Sequence, residues 1–125
     1  MLECSDELAT SVLDAAFDVH RELGPGLLES VYEAALAVAL AERGLSVERQ
    51  VEITAFYREH NLGVGFRADL IVASCLLLEL KAVDQLNSLH LAQIMTYLKL
   101  TKIRRGYLLN FNVTLLKDGI KRVSL

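Results

Sequence analysis

The stretch from Phe66 to Lys81, FRADLIVASCLLLELK, constrains the chain more than any other. It reads as two apolar strands with Asp69, Glu79 and Lys81 set into them. A tight hairpin centred on Ser74 places Asp69 opposite Glu79. Two carboxylates facing each other across a strand pair repel and cost stability. A fold that keeps them beside Leu76, Leu77, Leu78 and Leu80 needs a compensating cation. Glu79 and Lys81 are two residues apart, so on a strand they share one face. The compensation this predicts is a divalent metal with a lysine beside it, a constellation suited to cleaving phosphodiesters.

The chain has 125 residues, of which 53% are hydrophobic, with one Pro and seven Gly. That composition predicts one globular domain, residues 1–125, able to bury a core. No apolar run has the length of a bilayer span, and the N-terminal MLECSDELATS is acidic where a signal peptide is basic. The expectation is an intracellular, cytoplasmic protein without a membrane partner. Cys4 and Cys75 show no metal spacing and no disulfide framework, so Cys75 reads as a small hydrophobe. The formal net charge of −3 argues mildly against a protein that coats nucleic acid, but not against a nuclease with acidic site residues.

Ser5 to Leu23 has helical spacing at Leu8, Val12, Ala16, Val19 and Leu23, with Ser5 or Asp6 as cap. His20 in its last turn reads either as a favourable helix-end residue or as a side chain aimed at a cleft. A lone His is weak evidence, which favours the first. Gly24-Pro25-Gly26 breaks the chain, and a second helix follows from Leu27 to Arg43. Its apolar face carries Leu28, Val31, Tyr32, Ala35, Leu36, Ala39 and Leu40. Glu29 in its first turn reads as a dipole-favoured charge or as a third carboxylate at the metal.

Strands are predicted over Val47–Tyr57, Leu62–Val72 and Cys75–Ala82, with Arg58 to Asn61 as a turn and a bend near Gly63 and Gly65. The leucine run of the third implies a central strand buried on both faces. Asn87 or Ser88 caps a helix to Leu100 with a core stripe of Leu91, Ile94, Met95 and Leu98. Gln93 and Tyr97 share a face beside that stripe, as a solvent-facing pair on periodicity alone. Lys99, Lys102, Arg104 and Arg105 form a basic cluster, either a solvated helix end or a phosphate holder. Gly106–Asn112 is a fourth strand, and a Lys117-Asp118-Gly119 turn leads to an edge strand.

This order of elements, with Asp69 before the hairpin and Glu79-Leu80-Lys81 after it, resembles the PD-(D/E)XK nuclease superfamily. Gly26-Leu27-Leu28-Glu29-Ser30-Val31-Tyr32 is similar to the signature of its GxxExxY branch. His20 to Gly26, Gly65 to Leu70, Glu79 to Val83 and Lys117 to Arg122 also resemble that branch. The likeness runs from about Asp14 to Val123. It implies a restriction-endonuclease-like α/β core, a mixed sheet of four to five strands flanked by three helices. It implies that Asp69, Glu79 and Glu29 ligate magnesium or manganese and that Lys81 acts beside them. Gln93 and Tyr97 match a Q-x-x-x-Y element that lines the site and holds nucleic acid in related exonuclease-like branches. Ala68 replaces the superfamily's Pro, and Phe66 stands where Tyr is expected.

Together these readings predict a metal-dependent nuclease acting on DNA or RNA, with DNA the first choice of partner. Asp69, Glu79, Lys81, Gln93 and Glu29 would be catalytic. Tyr97, Lys99, Lys102, Arg104 and Arg105 would bind substrate. The alternative is a non-catalytic nucleic-acid-binding or regulatory module on the same fold. The sequence leaves the oligomeric state open, a homodimer included.

Overall fold

The computed structural model describes residues 4–125. Residues 1–3, where the acidic N-terminal stretch and the expected domain begin, lie outside the described residues. Helix α1 runs Asp6–Leu23 and is capped by Ser5, whose hydroxyl oxygen accepts the Leu8 N–H. Helix α2 is Glu29–Glu42. Three strands follow, β1 Val47–Tyr57, β2 His60–Val72 and β3 Leu76–Lys81. Helix α3 spans Ser88–Thr101, with Asn87 and His90 forming a reciprocal capping box. Strand β4 is Arg105–Asn110, a 3₁₀ turn covers Leu116–Gly119, and β5 is Ile120–Ser124.

The five strands form one sheet in the order β1-β2-β3-β4-β5, parallel only between β3 and β4. This is the mixed sheet with three helices that the restriction-endonuclease-like reading requires. The leucine run of β3 lies at its centre and is buried on both faces. Leu70, Leu78, Leu80 and Leu109 pack under α1 and α2, against Val12, Tyr32, Leu36 and Leu40. Ile71, Leu77 and Leu108 pack under α3, against Ile94 and Leu98. Gly106 allows that second contact, because a Cβ there would stand 3.2 Å from both Ile94 and Leu98 side chains.

Four expectations are corrected. Cys4 and Cys75 are joined by a disulfide, their Cα atoms 5.5 Å apart, so Cys75 is a covalent anchor and not a free small hydrophobe. The pairing escapes the sequence because α1 brings the two residues together across 71 positions. Leu28 is 74% exposed and Val31 is also exposed, because α2 starts at Glu29 and turns Tyr32, Glu33, Leu36 and Leu40 inward instead. Leu91 is exposed too, leaving Ile94 and Leu98 as the buried residues of α3. The β1–β2 turn is shorter than Arg58 to Asn61, since Tyr57 already pairs with His60.

The β1–β2 hairpin switches faces halfway along. Side chains two or four apart on a strand should share a face. Yet Val47 packs under α1 and α2 while Val51 and Ile53 pack on the α3 side. In β2, Phe66 and Ala68 lie on the α3 side, whereas Leu70 and Val72 lie on the other. The switch falls between the paired positions Arg49↔Leu70 and Val51↔Ala68, where Gln50 and Asp69 drop out of the ladder. Gln50 has φ +48°, a left-handed conformation uncommon for a side-chain-bearing residue inside a strand.

Candidate active site

The β2–β3 turn is formed by Ala73 and Ser74, both left-handed, with the Cys75 N–H donating to the Val72 carbonyl at 3.0 Å. This mirror-image turn suits the right-handed twist of the strands. It sets Leu70 opposite Leu78, so the next positions outward are Asp69 and Glu79. There the backbone ladder stops, and side chains take over its hydrogen bonds. The Asp69 N–H donates to Glu79 Oε1 at 3.1 Å, and the Leu80 N–H donates to Asp69 Oδ2 at 2.9 Å. Each carboxyl is thus clamped to the opposite strand's backbone, and the two acids are held together.

Glu79 is 7% exposed. Burial and the neighbouring Asp69 charge push its carboxyl up to about 8, against the Asp69 N–H and the charge of Lys81, which lower it. Burial also raises Asp69, opposed by hydrogen bonds from Leu80 and Gln50 and reinforced by the charges of Glu33 and Glu29. Without a cation, the pair therefore retains a proton near neutral pH. The loop after Lys81 is fixed by Asn110, whose side-chain oxygen accepts the Val83 and Asn112 N–H groups and whose amide donates to the Val83 carbonyl.

Tyr97 of α3 stacks on Phe66, ring centroids 3.8 Å apart. Burial, then the charges of Glu79 and Asp69, raise its hydroxyl above the usual tyrosine range, so it borders the same carboxylates. Gln93 lies one turn earlier on α3 and is half-buried.

Glu29 reaches the site from α2. It lines a cavity of about 350 Å³ with Ser30, Glu33, Gln50, Asp69 and Leu80. The turn before α2 is fixed by Tyr32, whose hydroxyl donates to the Gly24 carbonyl at 2.6 Å and accepts the Leu27 N–H at 3.1 Å. Gly26 has φ +98°, which glycine adopts readily. His20 points elsewhere: its Nε2 lies 2.8 Å from the Val113 carbonyl, beside Phe111.

The basic cluster lies apart from the carboxylates. Arg105 opens β4 opposite Leu76 and binds Asp6 at 3.1 Å. Arg104 and Arg105 line a depression with Cys4, Cys75 and Arg122, at the hairpin end of the sheet. Lys99 and Lys102 are exposed at the same end of α3. A larger concavity, about 960 Å³, lies between α1 and α2, but its Asp18 is already bound by Arg21 and Arg43. The 350 Å³ cavity is therefore the better site, because its Asp69 is part-buried beside the buried Glu79 and neither of these two carboxyls is paired with a cationic side chain.

Two cavity residues carry no signal in the sequence reading, Glu33 and Gln50. Glu33 is buried and accepts Arg49 Nε and Nη2 at 3.2 and 3.0 Å. Its spacing of four from Glu29 puts both on one helix face and could have marked it. Gln50 donates from Nε2 to Glu33 and, at 3.2 Å, to Asp69 Oδ1.

No curated protein and no solved structure matches this chain. A family model described as the PD-(D/E)XK nuclease superfamily does match, over residues 6–123. That span holds the Asp69–Glu79 clamp, Lys81, both helix glutamates and all of the sheet but Ser124, and the chain belongs to the PD-(D/E)XK nuclease superfamily.

Proposed function

We propose that this protein, a single domain of the GxxExxY branch, hydrolyses phosphodiester bonds of DNA or RNA with a divalent metal held by Asp69 and Glu79. The observation that carries the reading is the buried carboxylate clamp with Lys81 two residues along the same strand face. The donor set fits magnesium or manganese. Such ions take hard oxygens and commonly use one or two protein carboxylates, keeping several waters. Among the described residues no three His, Cys, Asp or Glu side chains are gathered to hold one ion, so the reading rests on the Asp69–Glu79 pair alone. Glu29, expected as a third ligand, lines the cavity as an exposed charge near Asp69 and is not gathered with Asp69 and Glu79, because it sits at the exposed start of α2.

A bound divalent ion supplies Lewis acidity for the scissile phosphate and a more acidic water. The chain's own groups do the rest. Asp69 and Glu79 are preorganised by the backbone N–H groups that hold them, so little reordering accompanies substrate binding. Lys81 places a positive charge where negative charge develops on the phosphate. Gln93 orients water or a phosphate oxygen, and Tyr97 with Phe66 presents an aromatic surface to the nucleic acid. Lys99, Lys102, Arg104 and Arg105 lie at the other end of the sheet, so any phosphates they hold are distant from the cleaved bond. No helix among the described residues is long and apolar enough to cross a membrane. The disulfide weighs against a reducing cytoplasm as its place of work.

The test is cleavage of single-stranded, duplex and branched DNA and of RNA, with magnesium or manganese. Wild type is compared with Asp69→Asn and Lys81→Ala. Metal-dependent cutting that both substitutions abolish is the expected result. Binding without cutting by the wild type would favour a non-catalytic nucleic-acid module instead.

A further inference from the structure

Gln50 and Asp69 are left unpaired in the β1–β2 ladder while its register continues on either side, and Gln50 is the one left-handed residue of β1. Backbone strain of this kind persists when surrounding structure over-determines it. What the strained backbone achieves is visible in the side chain. The amide nitrogen donates one hydrogen to Glu33 and the other to Asp69 Oδ1. Glu33 is itself held by two donors of Arg49. Facing two carboxylates, the Gln50 amide must turn its NH₂ and not its oxygen toward them. Asp69 then has one oxygen fixed by Gln50 and the other by the Leu80 N–H.

We propose that Gln50 is a positioning residue that, anchored by the Arg49–Glu33 pair, sets the orientation of Asp69 for metal binding. The inference rests on the metal-site reading above and deepens it. Partners that orient a metal ligand commonly change metal affinity by about 10–100-fold when removed. Glu33 acts through Gln50, because its buried carboxylate touches Arg49 and Gln50 and not Asp69.

The test is Mn²⁺ titration by calorimetry on the full, oxidised chain, with a thermal melt of each variant. Gln50→Gly removes the amide while keeping a residue at ease with positive φ. It should remain folded, the relief of the positive φ offsetting part of the lost hydrogen bonding, yet bind Mn²⁺ about 10-fold more weakly. Gln50→Asn, also tolerant of left-handed backbone but one methylene shorter, should weaken binding similarly and decides the matter if the glycine variant folds poorly. Glu33→Gln should show a comparable loss, and Glu33→Gln/Gln50→Gly should bind no more weakly than Gln50→Gly alone. Wild-type affinity in both Gln50 variants, with Asp69→Asn unable to bind, overturns this inference and leaves the metal site standing. Additive losses in the double variant overturn the anchoring by Glu33. Undiminished Mn²⁺ binding by Asp69→Asn overturns the metal-site reading and this inference together.

Discussion

Tyr32 lies flat against Phe111, ring centroids 4.7 Å apart and planes 11° apart, while its hydroxyl reaches out of the core to the Gly24 carbonyl. One side chain thus welds α2 to the end of β4 and ties down the turn that delivers Glu29. Tyr32→Phe keeps the stack and removes both turn hydrogen bonds, and should cost about 1–2 kcal/mol in urea unfolding. Tyr32→Ala also empties the stack and should cost about 3–5 kcal/mol. Hydrogen exchange at the Leu27 amide should rise in both.

The Glu79 carboxyl predicts the pH dependence of the metal-free protein. Its folded value, about 8, lies above the ordinary 4.5, so the folded state binds more protons than the unfolded one between those limits. Stability should then fall as pH rises. The stabilisation is fully present below about pH 4.5 and is lost as pH passes through 8, a change on the order of a few kcal/mol. Urea melts at pH 5 and pH 8.5 should show the drop. Glu79→Gln should flatten it, and saturating Mn²⁺ should oppose it by favouring the ionised pair.

Breaking the Cys4–Cys75 bond should lower stability by about 2–5 kcal/mol. Melts of the wild type with and without reductant, compared with Cys75→Ser, measure this. The reductant should have no further effect on the Cys75→Ser protein.

Asn110→Ala leaves the Val83 and Asn112 N–H groups and the Val83 carbonyl without their partner. Such part-buried losses cost about 1–3 kcal/mol. Because Val83 follows Lys81 by two residues, the substitution should also raise amide exchange from Lys81 to Val83.

The hairpin that carries Asp69 and Glu79 is readable from sequence because strand alternation and one tight turn determine which residues face each other. The leucine run of β3 declares its central place for the same local reason. Glu33 and Gln50 are not readable in this way. Gln50 looks like one polar residue in an alternating strand, and only its positive φ and the face switch beside it bring its amide to Asp69. The basic cluster is close together in sequence, but α3 ends at the hairpin end of the sheet, so the residues that follow it emerge away from the carboxylates. Leu28 and Val31 fit a helical stripe, yet the Tyr32 tether sets the rotation of α2 and leaves them in solvent.

The disulfide also gives the molecule an unusual covalent map. Residues 4–75 form a closed ring, and the rest of the described chain hangs from it as a tail. Glu29, Glu33, Gln50 and Asp69 belong to the ring, whereas Glu79, Lys81, Gln93 and Tyr97 belong to the tail. A protease cut in the β1–β2 turn would therefore open the ring without releasing a fragment. A cut in the loop between β3 and α3 would instead separate two pieces, one carrying Asp69, Glu79 and Lys81 and the other Gln93 and Tyr97.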